Sequence, residues 1–292
     1  MFINSTSWGP FKLYSIETGR FRLDGGAMFG VVPKTLWSKK VAADENNRIP
    51  MVMRCLLVES TVTQRKYLID TGTGPKFDAK MRAIYEYDDS AFSMEKSLAI
   101  HGFKPEDITD IIFTHLHFDH CGGASAWDSD GLKSIPIFKN ARYWINRRHW
   151  ETATNPNARE KASFLKENLD PLRDPHKLNL VEDHYQWEAG ISCLNFDGHT
   201  LGMQLPVIES PKGKMVYCAD LIPMAAHIPL PWVMAYDMNP MQTLIEKEAF
   251  LKKITTEKWY LFLEHDQDVQ IIRVSEENGR YVISETTILE KL

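Results

Sequence analysis

Three imidazoles and one carboxylate fall within six consecutive positions of this chain, directly after an apolar run of strand length. The four residues are His115, His117, Asp119 and His120. The apolar run, Ile108 to Phe113, predicts a buried β-strand that leads into the cluster. Because alternate side chains of an extended segment share one side, His115 and His117 can bind the same metal ion. Asp119 and His120, past the turn, can face a second ion, since imidazole and carboxylate both suit zinc and neighbouring divalent metals.

Ordinary surface or capping histidines are the alternative explanation for this segment. The chain has only 10 histidines. A group of three of them with an aspartate in six positions is too dense to be explained by surface or capping roles. Gly122 and Gly123 follow directly, and a chain that turns tightly beside metal ligands needs residues without a Cβ atom. We therefore interpret the segment as a metal site.

Four ligands do not complete two metal sites, so further ligands must come from other strands that reach the same edge of the structure. Three later apolar runs of strand length are each followed by an isolated histidine or aspartate. The residues with their preceding runs are His199 after Ile191 to Phe196, Asp220 after Met215 to Ala219, and His265 after Trp259 to Leu263. We predict that these three side chains complete the site.

Apolar runs of strand length alternate with helical patterns along most of the chain, without an internal repeat or a low-complexity linker. This pattern predicts one α/β domain over residues 1–292, with two sheets between layers of helices. The predicted helices are Ser93 to His101, Arg142 to Thr152, Ala158 to Leu169 and Met241 to Ile254. The predicted strands include short pieces broken by glycines between Phe11 and Pro33, a pair at Met51 to Val58 and Tyr67 to Ile69, and a tail at Gln270 to Val274 and Arg280 to Ser284.

The composition excludes several classes of partner. A formal net charge of −5 provides no basic surface for nucleic acid. No apolar stretch approaches the roughly 18 residues that span a bilayer, and the first residues lack the pattern of a secretion signal. The 4 cysteines are widely spaced, which indicates neither disulfides nor a cysteine zinc site. We therefore expect a cytoplasmic protein that acts on a small molecule and has no nucleic-acid or membrane partner.

Four short motifs, distributed over nearly the whole chain, together resemble the metallo-β-lactamase superfamily. The motifs are H-L-H-F-D-H-C-G-G at 115–123, G-H-T at 198–200, C-A-D at 218–220 and E-H-D at 264–266. The resemblance implies an α/β fold of the αββα sandwich type, in which two mixed β-sheets are flanked by helices. The metal roles that it implies are His115, His117 and His199 for the first ion, Asp119, His120 and His265 for the second, and Asp220 as the bridging carboxylate.

Within the superfamily, the chain most resembles N-acyl-homoserine lactone lactonases and methyl parathion hydrolase-like enzymes. The long segment before the metal motif carries this resemblance, in particular Leu23 to Pro33. It implies that residues 1–50 contribute to a pocket wall or to contacts in a homodimer, with Met28 and Phe29 at the pocket or in the core. Two other branches fit less well. Iron-dependent oxygen reductases generally carry glutamate where this chain has His117, and glyoxalase II enzymes append a helical segment where this chain ends in a strand pattern.

We predict a dinuclear hydrolase with two divalent metal ions, zinc first, and manganese, cobalt or iron as alternatives. A metal-bridging hydroxide would attack the substrate, and Asp119 would move the proton. The predicted reaction opens an N-acyl-homoserine lactone or a related lactone or ester, which implies a role in quorum quenching. Hydrolysis of organophosphate triesters or aryl esters at the same site is the alternative. A protein that binds metals only structurally is a third hypothesis.

One position departs from the lactonase pattern. Some acyl-homoserine lactonases have a tyrosine three residues after the bridging aspartate, where it polarises the lactone carbonyl, and this chain has Pro223 there. His227 lies seven residues after Asp220, in a proline-rich segment that should wall the pocket. We therefore predict His227 as a second catalytic residue beside Asp119, because it can supply the missing electrophilic contact, and contact with a metal ion alone is the alternative.

Overall fold

The computed structural model describes residues 4–292, and most of its strands belong to two seven-stranded sheets. The strands are β1 (Ser5–Trp8), β2 (Phe11–Asp24), β3 (Arg48–Ser60), β4 (Lys66–Ile69), β5 (Asp110–Ile112), β6 (Ser125–Trp127), β7 (Ser134–Pro136), β8 (Arg142–Asn146), β9 (Leu178–Val181), β10 (Gln186–Glu188), β11 (Ile191–Phe196), β12 (Met203–Ser210), β13 (Gly213–Tyr217), β14 (Tyr260–Phe262), β15 (Ile271–Glu277) and β16 (Arg280–Thr287). The helices are α1 (Gly25–Phe29), α2 (Lys34–Trp37), α3 (Ala79–Tyr85), α4 (Met94–Ile100), α5 (Phe118–Cys121), α6 (Arg147–Thr154), α7 (Lys166–Leu169) and α8 (Pro240–Glu257).

Both sheets are mixed, as predicted. The first has the strand order β1-β2-β3-β4-β5-β8-β9, in which the pairs from β4 onward are parallel and the earlier pairs antiparallel. The second runs in chain order from β10 to β16, and its one parallel pair is β13 with β14. The remaining strands, β6 and β7, pair with each other.

The core lies between the two sheets and continues under the helices on the outside. Successive side chains of a strand point to opposite faces, and β3 is buried on both. Leu56 packs between the sheets beside Leu205 of β12, whereas its neighbour Leu57 packs in a second core that contains Leu98 of α4. Phe250 of α8 belongs to the first core and covers the second sheet. The layers are therefore helix, sheet, sheet and helix.

The seven predicted metal ligands follow strands that end at one edge of this sandwich. His115, His117, Asp119 and His120 follow β5 of the first sheet, and the other three follow strands of the second sheet. These are His199 after β11, Asp220 after β13 and His265 after β14. The two sheets thus contribute to one site, which lies over the seam between them.

Two predicted helices are wrong in part. Arg142 to Asn146 is strand β8, which pairs in parallel with β5 and β9, and the helix begins only at Arg147. Residues 158–169 hold a short 3₁₀ turn at Lys161–Ser163 and the single turn α7 in place of one helix. Both segments pack beside the metal edge, where contacts with the sheet outweigh local helical preference.

The region from Phe11 to Pro33 also differs from the expectation of short strands. Phe11 to Asp24 forms one continuous strand, β2, whose register shifts between Glu17 and Arg20 around Gly19. Residues 25–37, here called the strap, then form the short helices α1 and α2. The amide of Ala235 donates to the carbonyl of Ala27 at 2.8 Å, so the strap is attached to the segment that follows β13.

Candidate metal centre

The first cluster of ligands contains His115, His117, His199 and Asp220, whose ligand atoms all lie within 4.8 Å of one another. Nδ1 of His117 lies 3.1 Å from Nε2 of His115 and 3.3 Å from Nε2 of His199. Oδ2 of Asp220 lies 3.1 Å from Nε2 of His199. The three imidazoles are almost completely buried, so their nitrogens converge on one point inside the protein.

The second cluster contains Asp119, His120 and His265. Nε2 of His120 lies 3.3 Å from Nε2 of His265, and Oδ2 of Asp119 lies 3.8 Å from each of these nitrogens. Oδ1 of Asp220 lies 3.2 Å from Nε2 of His265. Asp220 therefore faces both clusters, one oxygen toward each, which is the position of a bridging carboxylate.

The donor set fits two divalent cations. In a tetrahedral site with metal–nitrogen bonds of about 2.0–2.1 Å, ligand nitrogens lie about 3.3–3.4 Å apart. The measured nitrogen separations of 3.1 to 3.3 Å are close to this value. Oδ1 of Asp220 is buried without a hydrogen-bond partner within the described chain, and such an oxygen is stabilised by a cation. The residues present thus match a pair of metal sites.

Each ligand histidine is also held at its second nitrogen. Nδ1 of His199 lies 3.0 Å from Oδ1 of Asp237, and Nε2 of His117 lies 3.3 Å from Oε1 of Glu160. The remaining partners are the Thr114 hydroxyl at 3.0 Å for His115, Asp70 at 3.0 Å for His120, and the Val52 carbonyl at 3.0 Å for His265. Such contacts fix the ring orientation, so that the other nitrogen of each ring faces a cluster and is available to a metal ion.

The electrostatics of the clusters favour a cation. Burial and the neighbouring imidazoles hold the pKa of His115 well below its ordinary value, so this ring is neutral and can act as a ligand. Burial opposes charge on His199, but the carboxylates of Asp220 and Asp237 raise its pKa to about 10. In the same way Glu264 and Asp220 raise the pKa of His265 to about 9. Protons on these rings compensate the buried carboxylate, and metal ions would replace them.

Hydrogen bonds of His149 and the close packing of Gly123 fix the position of the segment 115–123. The amide of Leu116 donates to Nε2 of His149 at 2.7 Å, and Nδ1 of the same ring donates to the Leu201 carbonyl at 3.0 Å, so His149 joins the loops on either side of the first cluster. A Cβ atom on Gly123 would lie 2.0 Å from the Thr71 carbonyl oxygen. The absence of a Cβ is therefore required, as predicted, but its cause is close approach to the loop after β4.

A cavity of about 360 Å³ opens directly above the two clusters. Its floor consists of His117, Asp119, His199, Asp220 and His265. Its walls are mainly apolar and consist of Leu23, Met28, Met51, Phe118, Met234, Ala235 and Met238. Its polar rim includes Tyr85, Arg159, Glu160, Ser163 and Tyr236. The arrangement gives a substrate an apolar surface on the walls and metal ligands at the base.

The placement of His227 does not support the predicted contact with substrate. His227 is 1% exposed and is not among the residues of the chain from 4 to 292 that line the cavity. Its Nε2 donates to the Met28 carbonyl at 2.8 Å, and its ring stacks on Phe29 with 4.7 Å between centroids. Burial lowers its pKa to about 4, so the ring is neutral. Of the strap residues Met28 and Phe29, the first lines the cavity and the second lies in the core behind it.

Several contributors to the site were missed by sequence reasoning. Glu160 and Asp237 belong to segments remote from any motif, and nothing in the local sequence marks them. Asp70 directly follows β4, which is the same signal that identified Asp220, but its neighbours in Asp-Thr-Gly-Thr-Gly were interpreted only as a turn. Tyr85 and Arg159 carry no sequence signal of their own.

Comparison with known proteins identifies the family. The model of the metallo-β-lactamase superfamily matches residues 54–265. This chain belongs to the metallo-β-lactamase superfamily. A crystal structure of a probable metal-dependent hydrolase from Staphylococcus aureus is 31% identical, with a TM-score of 0.88, and the alignment covers 98% of this chain and 100% of that one. The α/β sandwich predicted from the motifs is thereby confirmed as the metallo-β-lactamase fold.

Two relatives of this metallo-β-lactamase superfamily member have more specific names. An N-acyl homoserine lactonase of Bacillus cereus is 28% identical over 218 residues, which cover 70% of this chain and 73% of that protein. AidC, described as a dizinc quorum-quenching lactonase, is 22% identical with a TM-score of 0.77, and the alignment covers 98% of this chain and 97% of that one. Among the helices between residues 4 and 292, none has the length and hydropathy to cross a membrane.

Proposed function

We propose that this protein opens N-acyl-homoserine lactones, holding two divalent metal ions at the base of its cavity. The observation that carries the proposal is the position of Asp220, which faces two complete ligand clusters beneath an apolar-walled cavity. The chain is a metal-dependent hydrolase of the kind that cleaves esters, and its lactonase relatives support the narrower substrate class. Zinc is the ion that we expect first, because imidazole and carboxylate donors in these numbers suit it.

The metal roles follow the two clusters. His115, His117 and His199 would hold one ion, and Asp119, His120 and His265 the other, with Asp220 between them. When bound, the ions would supply an activated water at neutral pH and stabilise negative charge on substrate oxygens. The protein would orient these ligands through the carboxylates and carbonyls behind the rings.

Asp119 is the residue that we propose to move the proton. It lies on the floor of the cavity, with Oδ2 3.8 Å from Nε2 of both His120 and His265. When a lactone ring opens, its ring oxygen leaves as a strongly basic alkoxide, which needs a proton. The Asp119 carboxylate can accept a proton from the attacking water and give it to the ring oxygen.

The cavity walls suit an acyl chain. Met28 and Met51 on one side, and Met234 and Met238 on another segment, present flexible thioether side chains to the cavity. An acyl chain would lie along this apolar surface and remove it from water, which contributes roughly 25 cal/mol for each Å² buried. We expect turnover of lactones to depend on the length of the acyl chain for this reason.

Hydrolysis of aryl esters or organophosphate triesters is the second candidate function. The observation that favours it is the aromatic group at the rim, in which the ring of Tyr85 lies 5.0 Å from Phe118 and 5.5 Å from Phe77. An aromatic leaving group could pack against these rings.

A substrate panel tests the two functions. We would load the protein with zinc or manganese and measure hydrolysis of acyl-homoserine lactones of several chain lengths, γ-butyrolactone, phenyl acetate and paraoxon. His117→Ala removes a ligand, and His176→Ala, on the exposed surface, is the matched control. Lactone opening that depends on chain length and is lost only in His117→Ala supports the proposal.

Two other outcomes would change the proposed function. Fast cleavage of phenyl acetate or paraoxon with negligible lactone turnover would favour the second candidate. Binding of metals without turnover of any substrate would favour a protein in which the metals are only structural. A cytoplasmic homodimer that degrades quorum signals remains our prediction for the cellular role, and the dimer is testable by light scattering.

A further inference from the structure

Attack on a lactone carbonyl places negative charge on its oxygen, and a fixed hydrogen-bond donor beside that oxygen stabilises the transition state. Few side-chain donors outside the metal clusters line the cavity within the described residues. They are Tyr85, Arg159, Ser163 and Tyr236. Arg159 directs its Nη2 at the carbonyls of Ala235 and Asp237. Among these four residues, Tyr85 is the one whose ring packs against Phe118, the residue before Asp119.

Neither position considered from the sequence can supply this donor. Pro223 has no polar side-chain atom, and its carbonyl accepts a hydrogen bond from the His265 amide at 3.1 Å. His227 lies behind the cavity wall and directs its N–H at the Met28 carbonyl. A donor to the substrate must come from another part of the chain.

Tyr85 is held in a defined position in the lining of the cavity. It is the last residue of α3, and its ring lies 5.0 Å from Phe118 and stacks on Phe77 at 5.5 Å. Phe118 directly precedes Asp119, so the contact that fixes the tyrosine also fixes it relative to a predicted metal ligand. Burial and then the Asp119 carboxylate raise the pKa of Tyr85, so the hydroxyl keeps its proton at neutral pH.

Tyr236 differs from Tyr85 in its surroundings. It lines the same cavity but is 39% exposed, on the segment that closes the rim. The same chemical change, removal of one phenol oxygen, can thus be made at a half-buried position and at an exposed position of a single cavity.

We propose that Tyr85 is a catalytic residue that donates a hydrogen bond from its hydroxyl to the scissile carbonyl oxygen of the substrate. The inference rests on the proposed hydrolase function and deepens it. The phenol keeps its proton throughout the reaction, and no bond to Tyr85 forms or breaks. Asp119 carries the proton from the attacking water to the ring oxygen, so the two residues act on different oxygens of the lactone.

The test compares Tyr85→Phe with Tyr236→Phe on an acyl-homoserine lactone of well-bound chain length. Loss of an oxyanion donor typically lowers kcat by roughly 10²-fold, and we expect a reduction of this order in Tyr85→Phe, with KM changed only slightly. Tyr281→Phe, on β16 and not among the described residues that line the cavity, is the control and should retain kcat, and Tyr236→Phe should lose much less kcat than Tyr85→Phe. Metal content, thermal midpoint and the dissociation constant of the non-hydrolysable acyl-homoserine lactam should match the wild type in all three variants.

The outcomes separate this inference from the proposed function. If Tyr85→Phe keeps the wild-type kcat, or if Tyr85→Phe and Tyr236→Phe lose the same activity, the assignment of Tyr85 is wrong while the lactonase function stands. If the wild type hydrolyses only phenyl acetate or paraoxon, the lactone proposal fails, and the same pair of variants on that substrate decides the role of Tyr85. If no member of the panel is hydrolysed, both proposals are overturned.

Discussion

The carboxylate of Glu160 lies 3.3 Å from Nε2 of His117 and also accepts a hydrogen bond from the Thr200 hydroxyl. Thr200 directly follows His199, so one buried carboxylate contacts both segments that supply ligands to the first cluster. Glu160 also lines the cavity. The orientation of two ligands and part of the pocket wall therefore depend on a single loop residue.

Replacement of this carboxylate should weaken metal binding. We expect Glu160→Gln to lower metal affinity by about 10- to 100-fold, as is typical when a group behind a ligand histidine is changed. Titration against a chromophoric chelator measures this directly, without any assay of activity. Glu151→Gln, at an exposed position of α6, should retain wild-type affinity. Equal affinities for all three proteins would show that Glu160 does not orient His117.

Proton transfer by Asp119 can be tested by comparing substrates with different leaving groups. Asp119→Asn should reduce the opening of lactones far more than the cleavage of nitrophenyl esters, because nitrophenolate leaves without a proton and an alkoxide does not. The measurement is kcat/KM for an acyl-homoserine lactone and for p-nitrophenyl acetate, with metal content checked in parallel. Proportional losses on both substrates, with both metals retained, would contradict proton transfer by Asp119.

We expect His227 to affect stability and substrate binding by holding the pocket wall in place. His227→Phe keeps an aromatic ring against Phe29 but leaves the buried Met28 carbonyl without its donor, which costs about 1–3 kcal/mol. We therefore expect a lower thermal midpoint and a higher KM for long-chain lactones, while kcat on phenyl acetate stays close to the wild-type value. A large loss of kcat on every substrate would instead restore the prediction that His227 is catalytic.

Gly123 provides a test of the packing behind the metal motif. A Cβ atom would meet the Thr71 carbonyl oxygen at 2.0 Å, so the backbone itself must move. Gly123→Ala should destabilise the fold by about 3 kcal/mol or more, since overpacking against main chain has few ways to relax. Gly279→Ala, which meets no atom within 4 Å but has a φ of +73°, should cost only about 1 kcal/mol. Similar midpoints in urea for both variants would contradict this packing.

Lys247 should make stability depend on pH. Burial lowers its pKa from 10.5 to about 7, so between these values the unfolded chain binds more protons than the folded chain. The free energy of unfolding therefore rises with pH across this window, and the lysine opposes folding most strongly below pH 7. We expect the stability of the wild type relative to Lys247→Met to increase from pH 7 to pH 9 in urea unfolding. Lys252→Met, on the exposed side of α8, should show no such change. If the free energies of unfolding of the wild type and of Lys247→Met change in parallel with pH, the lowered pKa of Lys247 is wrong.

The metal ligands could be predicted from the sequence because each follows a strand, and strand ends carry a local signal. The supporting residues could not, because Glu160 and Asp237 reach the site from loops whose position depends on tertiary packing. Strand β8 was missed for a related reason. Asn146, its last residue, caps α6 by accepting hydrogen bonds from Arg148 and His149 amides, so strand and helix are joined without a glycine or proline to mark the boundary.

For His227, the sequence predicted a catalytic role that the position of the side chain does not support. Its distance of seven residues from Asp220 and its proline-rich surroundings predicted a place in the pocket wall, and His227 packs behind that wall, against Met28 and Phe29. Whether a side chain on such a segment faces the cavity or the protein interior depends on its partner. Here the strap provides a backbone carbonyl and an aromatic face, and neither can be inferred from the residues near His227.

Met28 of the strap and residues 234–236 and 238 line the cavity without contributing a predicted ligand, whereas the ligands all follow strands of the two sheets. Substitutions at these positions can therefore reshape the space offered to a substrate, whereas a change at the neighbouring Asp237 would disturb the ligand His199. A scaffold divided in this way can acquire a new preference through a few changes at its periphery, and selection for another substrate should act first on Met28, Met234 and Met238.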